Sequence, residues 1–158
     1  EQVGETKEVV ILDKSKSPLS SSRLFSKSGA DKLYGDRGDD NLRGDSTSDF
    51  LYGGVGKDNL YGGDREDDLY GGSGNDVFKF NKGNGFDRTT DFTKGDNRVD
   101  IAESDINQLG VFDSGKNMKV YLDQNKSDLL AIIYGYNLID LNDVGITDII
   151  VWFTTFKR

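Results

Sequence analysis

The chain has 158 residues, with 28 acidic against 20 basic side chains, twenty glycines, one proline, and neither cysteine nor histidine. Disulfides, thiol nucleophiles, histidine-held zinc or haem and serine–histidine triads are thereby excluded. A net charge of −8 argues against a nucleic-acid-binding surface, and 34% hydrophobic residues leave little for a thick core.

Residues 1–25 carry four acidic and four basic side chains. No charged-then-apolar leader opens them. Glu8–Leu12 (EVVIL) predicts one strand, followed by a serine-rich stretch around Pro18. The segment ends on Arg23-Leu24-Phe25, and reads either as a cap on the segment after it or as a linker from an upstream domain absent from this chain.

Residues 26–79 divide without insertion into six nonapeptides: SKSGADKLY, GDRGDDNLR, GDSTSDFLY, GGVGKDNLY, GGDREDDLY and GGSGNDVFK. Position six is always aspartate, as Asp31, Asp40, Asp49, Asp58, Asp67 and Asp76. Position eight is always large and apolar, as Leu33, Leu42, Leu51, Leu60, Leu69 and Phe78. Leu24 falls in phase with that ladder. Glycines at positions one, two and four permit φ > 0 and a tight turn. The last three positions have strand character, so position eight points opposite to its neighbours. One apolar residue in nine makes no core unless the chain coils and stacks these residues. Coiling also stacks the aspartates on a common edge, where they repel unless a cation lies between them. Carboxylates with turn carbonyls form an oxygen-only set that suits calcium, whereas magnesium demands stricter octahedral geometry and keeps its waters. The segment holds 12 acidic and 7 basic side chains, most of the chain's net negative charge. Carboxylate pairs also serve glycosidases, but a nine-residue period explains these ones better as metal ligands.

The consensus Gly-Gly-x-Gly-x-Asp-x-(large apolar)-x resembles that of the calcium-binding RTX family over residues 26–79. The family is bacterial and secreted, and includes haemolysin-type toxins, serralysin-type proteases, lipases, adhesins and alginate C5-epimerases. The resemblance implies an all-β fold: a right-handed parallel β-roll with two nonapeptides per coil, followed by a C-terminal β-sheet cap. It implies several calcium ions, each between turn n and turn n+2, held by aspartates and by carbonyls of the first four turn residues. On the even-numbered repeats the implied set is Gly35, Arg37 and Asp40, then Gly53, Gly54, Val55, Gly56 and Asp58, then Gly71, Gly72, Ser73, Gly74 and Asp76. On the odd-numbered repeats it is Asp31, Asp49 and Asp67. Even turns keep glycine at position four (Gly38, Gly56, Gly74), whereas Thr47 and Arg65 replace it in two odd turns. A non-glycine residue in a left-handed conformation costs about 1 kcal/mol. The even edge is therefore predicted to carry the better sites, and the odd edge to be irregular, helped by Asp45, Asp64 and Glu66.

After Lys79 the period breaks, and residues 80–158 read as a separate C-terminal β cap. Gly83-Asn84-Gly85-Phe86-Asp87, Asp91-Phe92 and Gly95 to Ile101 resemble the stretch after the repeats in many family members, with Thr89 in place of the usual isoleucine and Asn97 in place of an aspartate. Asp87, Asp91 and Asp100 are thus further candidate ligands, the alternative being that they cap turns. Met118–Leu122, Leu129–Tyr136 and Ile146–Phe153 predict buried strands, and Asp105–Leu109 at most one helical turn. The longest apolar run, Leu129–Tyr134, is too short to cross a bilayer. The resemblance implies an uncleaved signal for type I secretion in the last fifty or so residues.

At position nine, Tyr34, Tyr52 and Tyr70 should stack on one outer face, and Arg43, Tyr61 and Lys79 on the other. Aromatics beside cations could hold an acidic polysaccharide, as the similar accessory modules of alginate epimerases suggest; alternatively the tyrosines simply favour strands. The expectation is a secreted, extracellular, non-enzymatic calcium module that folds on calcium binding and whose partner is a type I exporter, or else a glycan-binding or adhesion module.

Overall fold

The computed structural model describes residues 9–11, 21–26, 28–80, 85–92, 98–101, 110–113, 117–121 and 129–134, all in strands, turns, bends or extended segments. Among them no helix is long and apolar enough to cross a membrane. The predicted strand Ile146–Phe153 and the helical turn Asp105–Leu109 lie outside the described residues.

Each nonapeptide places its last three residues in a strand, and the glycine-rich start of the next one turns the chain. Odd repeats supply β3 (Lys32–Tyr34), β5 (Phe50–Val55) and β7 (Asp68–Ser73); even repeats supply β4 (Asn41–Asp45), β6 (Asn59–Gly63) and β8 (Val77–Phe80). The odd strands pair in parallel in one sheet and the even strands in the other. Register follows the repeat: Leu33, Leu51 and Leu69 align on one side, and Leu42, Leu60 and Phe78 on the other. The molecule is a parallel β-roll with two nonapeptides per coil.

Every position-eight residue of the six repeats is buried, with Leu33, Leu51, Leu60, Leu69 and Phe78 fully so. This two-sided ladder is the core, one side chain thick on each sheet. At about 2–5 kcal/mol for truncating a buried leucine to alanine, each rung counts heavily in so thin a structure.

The roll extends beyond the repeats at both ends. β1 (Val9–Ile11) joins β3 in parallel, and β2 (Arg23–Phe25) joins β4 with Leu24 opposite Leu42. The sequence period breaks at Lys79, but the coil does not. β9 (Asp87–Thr89) pairs in parallel with β7, setting Thr89 opposite Leu69. β10 (Arg98–Ile101) pairs in parallel with β8, setting Val99 opposite Phe78. Phe80 is fully buried and Phe92 lies 5.9 Å from Phe78 between ring centroids, so aromatics close this end of the ladder. Beyond β9, β13 (Leu129–Tyr134) continues the same sheet in parallel. β12 (Asn117–Tyr121) and β11 (Gly110–Asp113) then add antiparallel, so a β cap follows the roll. The strand β11 had no counterpart in the predicted elements.

Candidate metal centre

The turns give each glycine a distinct physical job. Position two is left-handed throughout the middle of the roll: Gly54, Gly63 and Gly72, and also Asp36 (φ 70°) and Asp45 (φ 82°). Position four is left-handed at Gly29, Gly38, Gly56 and Gly74, and at Arg65 (φ 77°). Position one is different from the expectation, since Gly35, Gly44, Gly53, Gly62 and Gly71 do not have positive φ. Space is the constraint there. A methyl group on Gly53 would lie 2.5 Å from Asp58 Oδ2 and 2.7 Å from the Gly71 carbonyl oxygen. Position-one glycines thus leave a cradle in which a carboxylate oxygen and a carbonyl of the next coil converge.

The position-six aspartates form a staircase. Asp58 Oδ1 accepts the backbone N–H of Asp40 at 2.8 Å, and Asp76 Oδ1 that of Asp58 at 3.0 Å. On the odd edge Asp49 Oδ1 accepts the N–H of Asp31 at 2.8 Å, and Asp67 Oδ1 that of Asp49 at 2.7 Å. All six aspartates are buried. Asp49, Asp58, Asp67 and Asp76 are thus anchored through Oδ1, yet the second oxygen, Oδ2, of Asp49 and of Asp67 is buried with no hydrogen-bond donor. Such an oxygen is costly without a compensating charge or proton. Burial accordingly pushes the Asp49 carboxyl up to about 6. Asp67 is also raised, by burial first and by repulsion from Asp49, Asp87 by burial first and by repulsion from Asp67, and Asp76 by burial.

These residues fit a hard divalent cation. Among the described residues no three carboxylates gather at one point. The oxygen set is therefore one or two aspartates with several main-chain carbonyls, a mixture suited to calcium's six to eight flexible ligands.

The expected ligands occupy definite places. Val55 and Ser73 have their carbonyls engaged, accepting the N–H groups of Gly38 at 2.8 Å and Gly56 at 2.9 Å, and Arg37 bridges to Val55 across the same edge. Asp87 stands at position six of a further odd turn, since its Oδ1 accepts the Asp67 N–H at 3.2 Å. Asp91 caps a turn, accepting from Gly71 N–H at 3.2 Å and Gly72 N–H at 2.7 Å. Asp100 aligns with Lys79 at position nine, away from the turns. Asp45 holds Arg43 at 3.0 Å, and Glu66 lies 3.8 Å from Arg88, so these two carboxylates engage arginines.

Sequence reasoning passed over Ser22, whose N–H donates to Asp40 Oδ1 at 2.7 Å from the position-six place of the coil before. It also passed over Ser26 and Thr47 as bonding groups. The hydroxyl of Ser26 donates to the Gly44 carbonyl, and that of Thr47 to the Gly29 carbonyl. The signal for Asp87 was present, because Gly83-x-Gly85-x-Asp87 is the turn consensus lacking only its first glycine.

The outer faces carry the position-nine residues in register. Tyr34, Tyr52 and Tyr70 align on the odd sheet, where Phe50 packs between Tyr34 at 6.0 Å and Tyr70 at 5.3 Å. Arg43, Tyr61 and Lys79 align on the even sheet, with the Arg43 guanidinium 5.0 Å above the Tyr61 ring. A groove of about 290 Å³ follows this second face, lined also by Arg23, Phe25, Asn41 and Asn59.

Fold and site together define a parallel β-solenoid whose turns present stacked carboxylate and carbonyl oxygens, a class built to hold hard divalent cations between coils. Residues 23–51 and 52–87 match the RTX calcium-binding nonapeptide repeat, in four copies, and this stretch of the chain is an RTX repeat array. Such repeats bind calcium at the nonapeptide turns, several ions across an array. A comparison with curated proteins gives no match.

Proposed function

We propose that this chain is a calcium-triggered folding module of a secreted protein. The observation that carries the reading is the pair of buried aspartate oxygens, Asp49 Oδ2 and Asp67 Oδ2, that have no donor in the folded roll. Without calcium these carboxylates must either repel or take up protons, and the leucine ladder is too thin to offset that cost. With calcium, each ion bound only by the folded state adds RT ln(1 + [L]/Kd), about 2.7 kcal/mol at a hundredfold excess over Kd. Several ions thus supply a large part of the ~5–15 kcal/mol of a small domain. A chain that stays unfolded where calcium is scarce can be threaded through an exporter and then fold outside. Secretion through a type I exporter, with a signal in the C-terminal residues, is the matching route, and the usual secretion of RTX-repeat proteins supports it. The role assigned is structural, not catalytic.

Circular dichroism tests the reading. The chain in chelator should give a random-coil spectrum, and millimolar calcium a cooperative shift to β signal, with magnesium much less effective. Equal β signal in chelator and in calcium would refute it.

The even-sheet groove favours a second role alongside the first, as an accessory surface for an acidic polysaccharide. Phe25 is 60% exposed beside Arg23 and Lys79, and Tyr61 already carries a stacked arginine. Aromatic faces with cations and amides suit sugar rings bearing carboxylates. Titrating oligouronates into the calcium-loaded protein should shift Phe25 and Tyr61 resonances before those of Tyr34, Tyr52 and Tyr70. Unmoved resonances on the groove face would remove this role.

A further inference from the structure

The gap between turns 35–40 and 53–58 on the even edge and its equivalent on the odd edge differ at two side-chain positions. Between turns 35–40 and 53–58, the Gly53 carbonyl faces the place where a side chain of Gly35 would start, and the Gly38 carbonyl faces that of Gly56. No side chain stands at either place, so neither carbonyl meets a hydroxyl from these positions. The equivalent gap on the odd edge lies between turns 26–31 and 44–49. There the same two places are held by Ser26 and Thr47, and their hydroxyls donate to the equivalent carbonyls, those of Gly44 and Gly29. Thr47 Oγ1 also lies 3.2 Å from Asp49 Oδ1. Ser26 is 4% exposed, so its hydroxyl is committed to this contact and not to water. Thr47 is moreover absent from the residues with left-handed φ, although Gly29, Gly38, Gly56, Arg65 and Gly74 adopt it at the same position. The turn has changed its backbone to bring a hydroxyl inward.

We propose that the gap between turns 26–31 and 44–49 takes no calcium, because the hydroxyls of Ser26 and Thr47 hold the carbonyls that a cation holds elsewhere. Ser26 and Thr47 are thus determinants of where calcium does not bind. The chemistry is a straightforward exchange: a hydroxyl proton satisfies a carbonyl oxygen that otherwise serves as a metal ligand. This gap closes by hydrogen bonds alone, and calcium is left to the other gaps. The proposal rests on the calcium reading of the remaining turns and adds to it a residue-level rule for occupancy.

The test is the calcium count of the full chain by equilibrium dialysis with metal analysis. Wild type sets the reference. The Ser26→Gly, Thr47→Gly double variant should bind about one ion more per chain, since it restores the glycines of the even edge and frees the Gly44 and Gly29 carbonyls. Thr47→Ser should keep the wild-type count, because the hydroxyl remains. An unchanged count in a folded double variant, or a lost ion in Thr47→Val, would overturn the proposal. Should the double variant not fold, amide exchange in calcium-loaded Thr47→Val decides. Faster exchange of the Asp31 N–H with the wild-type calcium count supports the proposal, and wild-type exchange rates overturn it. A wild-type chain binding no calcium would overturn the underlying reading too, so the two failures are distinguishable.

Discussion

Asp58 and Asp49 occupy the same place in the repeat, and both lie mid-roll, but their surroundings differ. Asp58 is flanked by turns that keep glycine at position four on both sides, and its Oδ1 bonds the preceding coil as its own N–H bonds the next. Asp49 shares its turn with Thr47, whose hydroxyl already lies 3.2 Å from its Oδ1, and the following turn carries Arg65 in a left-handed conformation. Replacing Asp58 by alanine therefore removes a charged oxygen from the spaces toward both Asp40 and Asp76. Replacing Asp49 does so with full effect only toward Asp67. Asp58→Ala should raise the calcium midpoint for folding much more than Asp49→Ala, as read by titrating β signal. Neither substitution touches the leucine ladder, and equal midpoints would count against this difference between the edges.

Among the strands, β9 is the one whose residues least resemble the element they form. Its Thr89 fills the slot that leucine fills in the coils before it, and is fully buried with no partner for its hydroxyl. A buried hydroxyl without a bond costs about 1–3 kcal/mol. Thr89→Val keeps the shape and removes the hydroxyl, so it should stabilise the calcium-loaded roll by about 1 kcal/mol, read as a higher urea midpoint at unchanged slope. A lower midpoint would mean that the hydroxyl serves a partner in solution. The six repeats were legible because one period sets both the turn and the buried face, and their alternate pairing followed from the family resemblance. The coil through β9 and β10 was hidden because Lys79 ends that period. Register there comes from sheet pairing, with Thr89 opposite Leu69 at an offset of twenty residues and Val99 opposite Phe78 at twenty-one. The bonding role of Thr47 was hidden for a related reason: composition marks it as a missing glycine, and only the neighbouring coil shows the carbonyl it reaches.

At the scale of the whole molecule the stacked carboxylates make the metal-free fold sensitive to pH. Burial raises Asp49 from 3.8 to about 6, and raises Asp67 and Asp87 as well. Above their unfolded value these groups bind more protons when folded than when unfolded. Stability without metal is therefore greatest at low pH and falls as pH rises through the folded values. A metal-free, dialysed chain should gain β signal when acidified from about pH 8 to about pH 5, and in saturating calcium the dependence should weaken because the ion replaces the protons. A random-coil signal unchanged over that range would contradict the burial of these side chains. The nine-residue period by itself determined the coil, the apolar ladder and the presence of a carboxylate at every turn, because a large side chain that recurs once in nine residues is buried only when successive copies stack. Two nonapeptides per coil, and so two sheets, were implied by the resemblance to RTX repeats. Which oxygens are left without donors, which turns are closed by hydroxyls, and where the coil continues after the repeats were decided only in the tertiary structure. Those properties belong to pairs of residues eighteen or more apart, and the contact exists only once one coil is laid on the next.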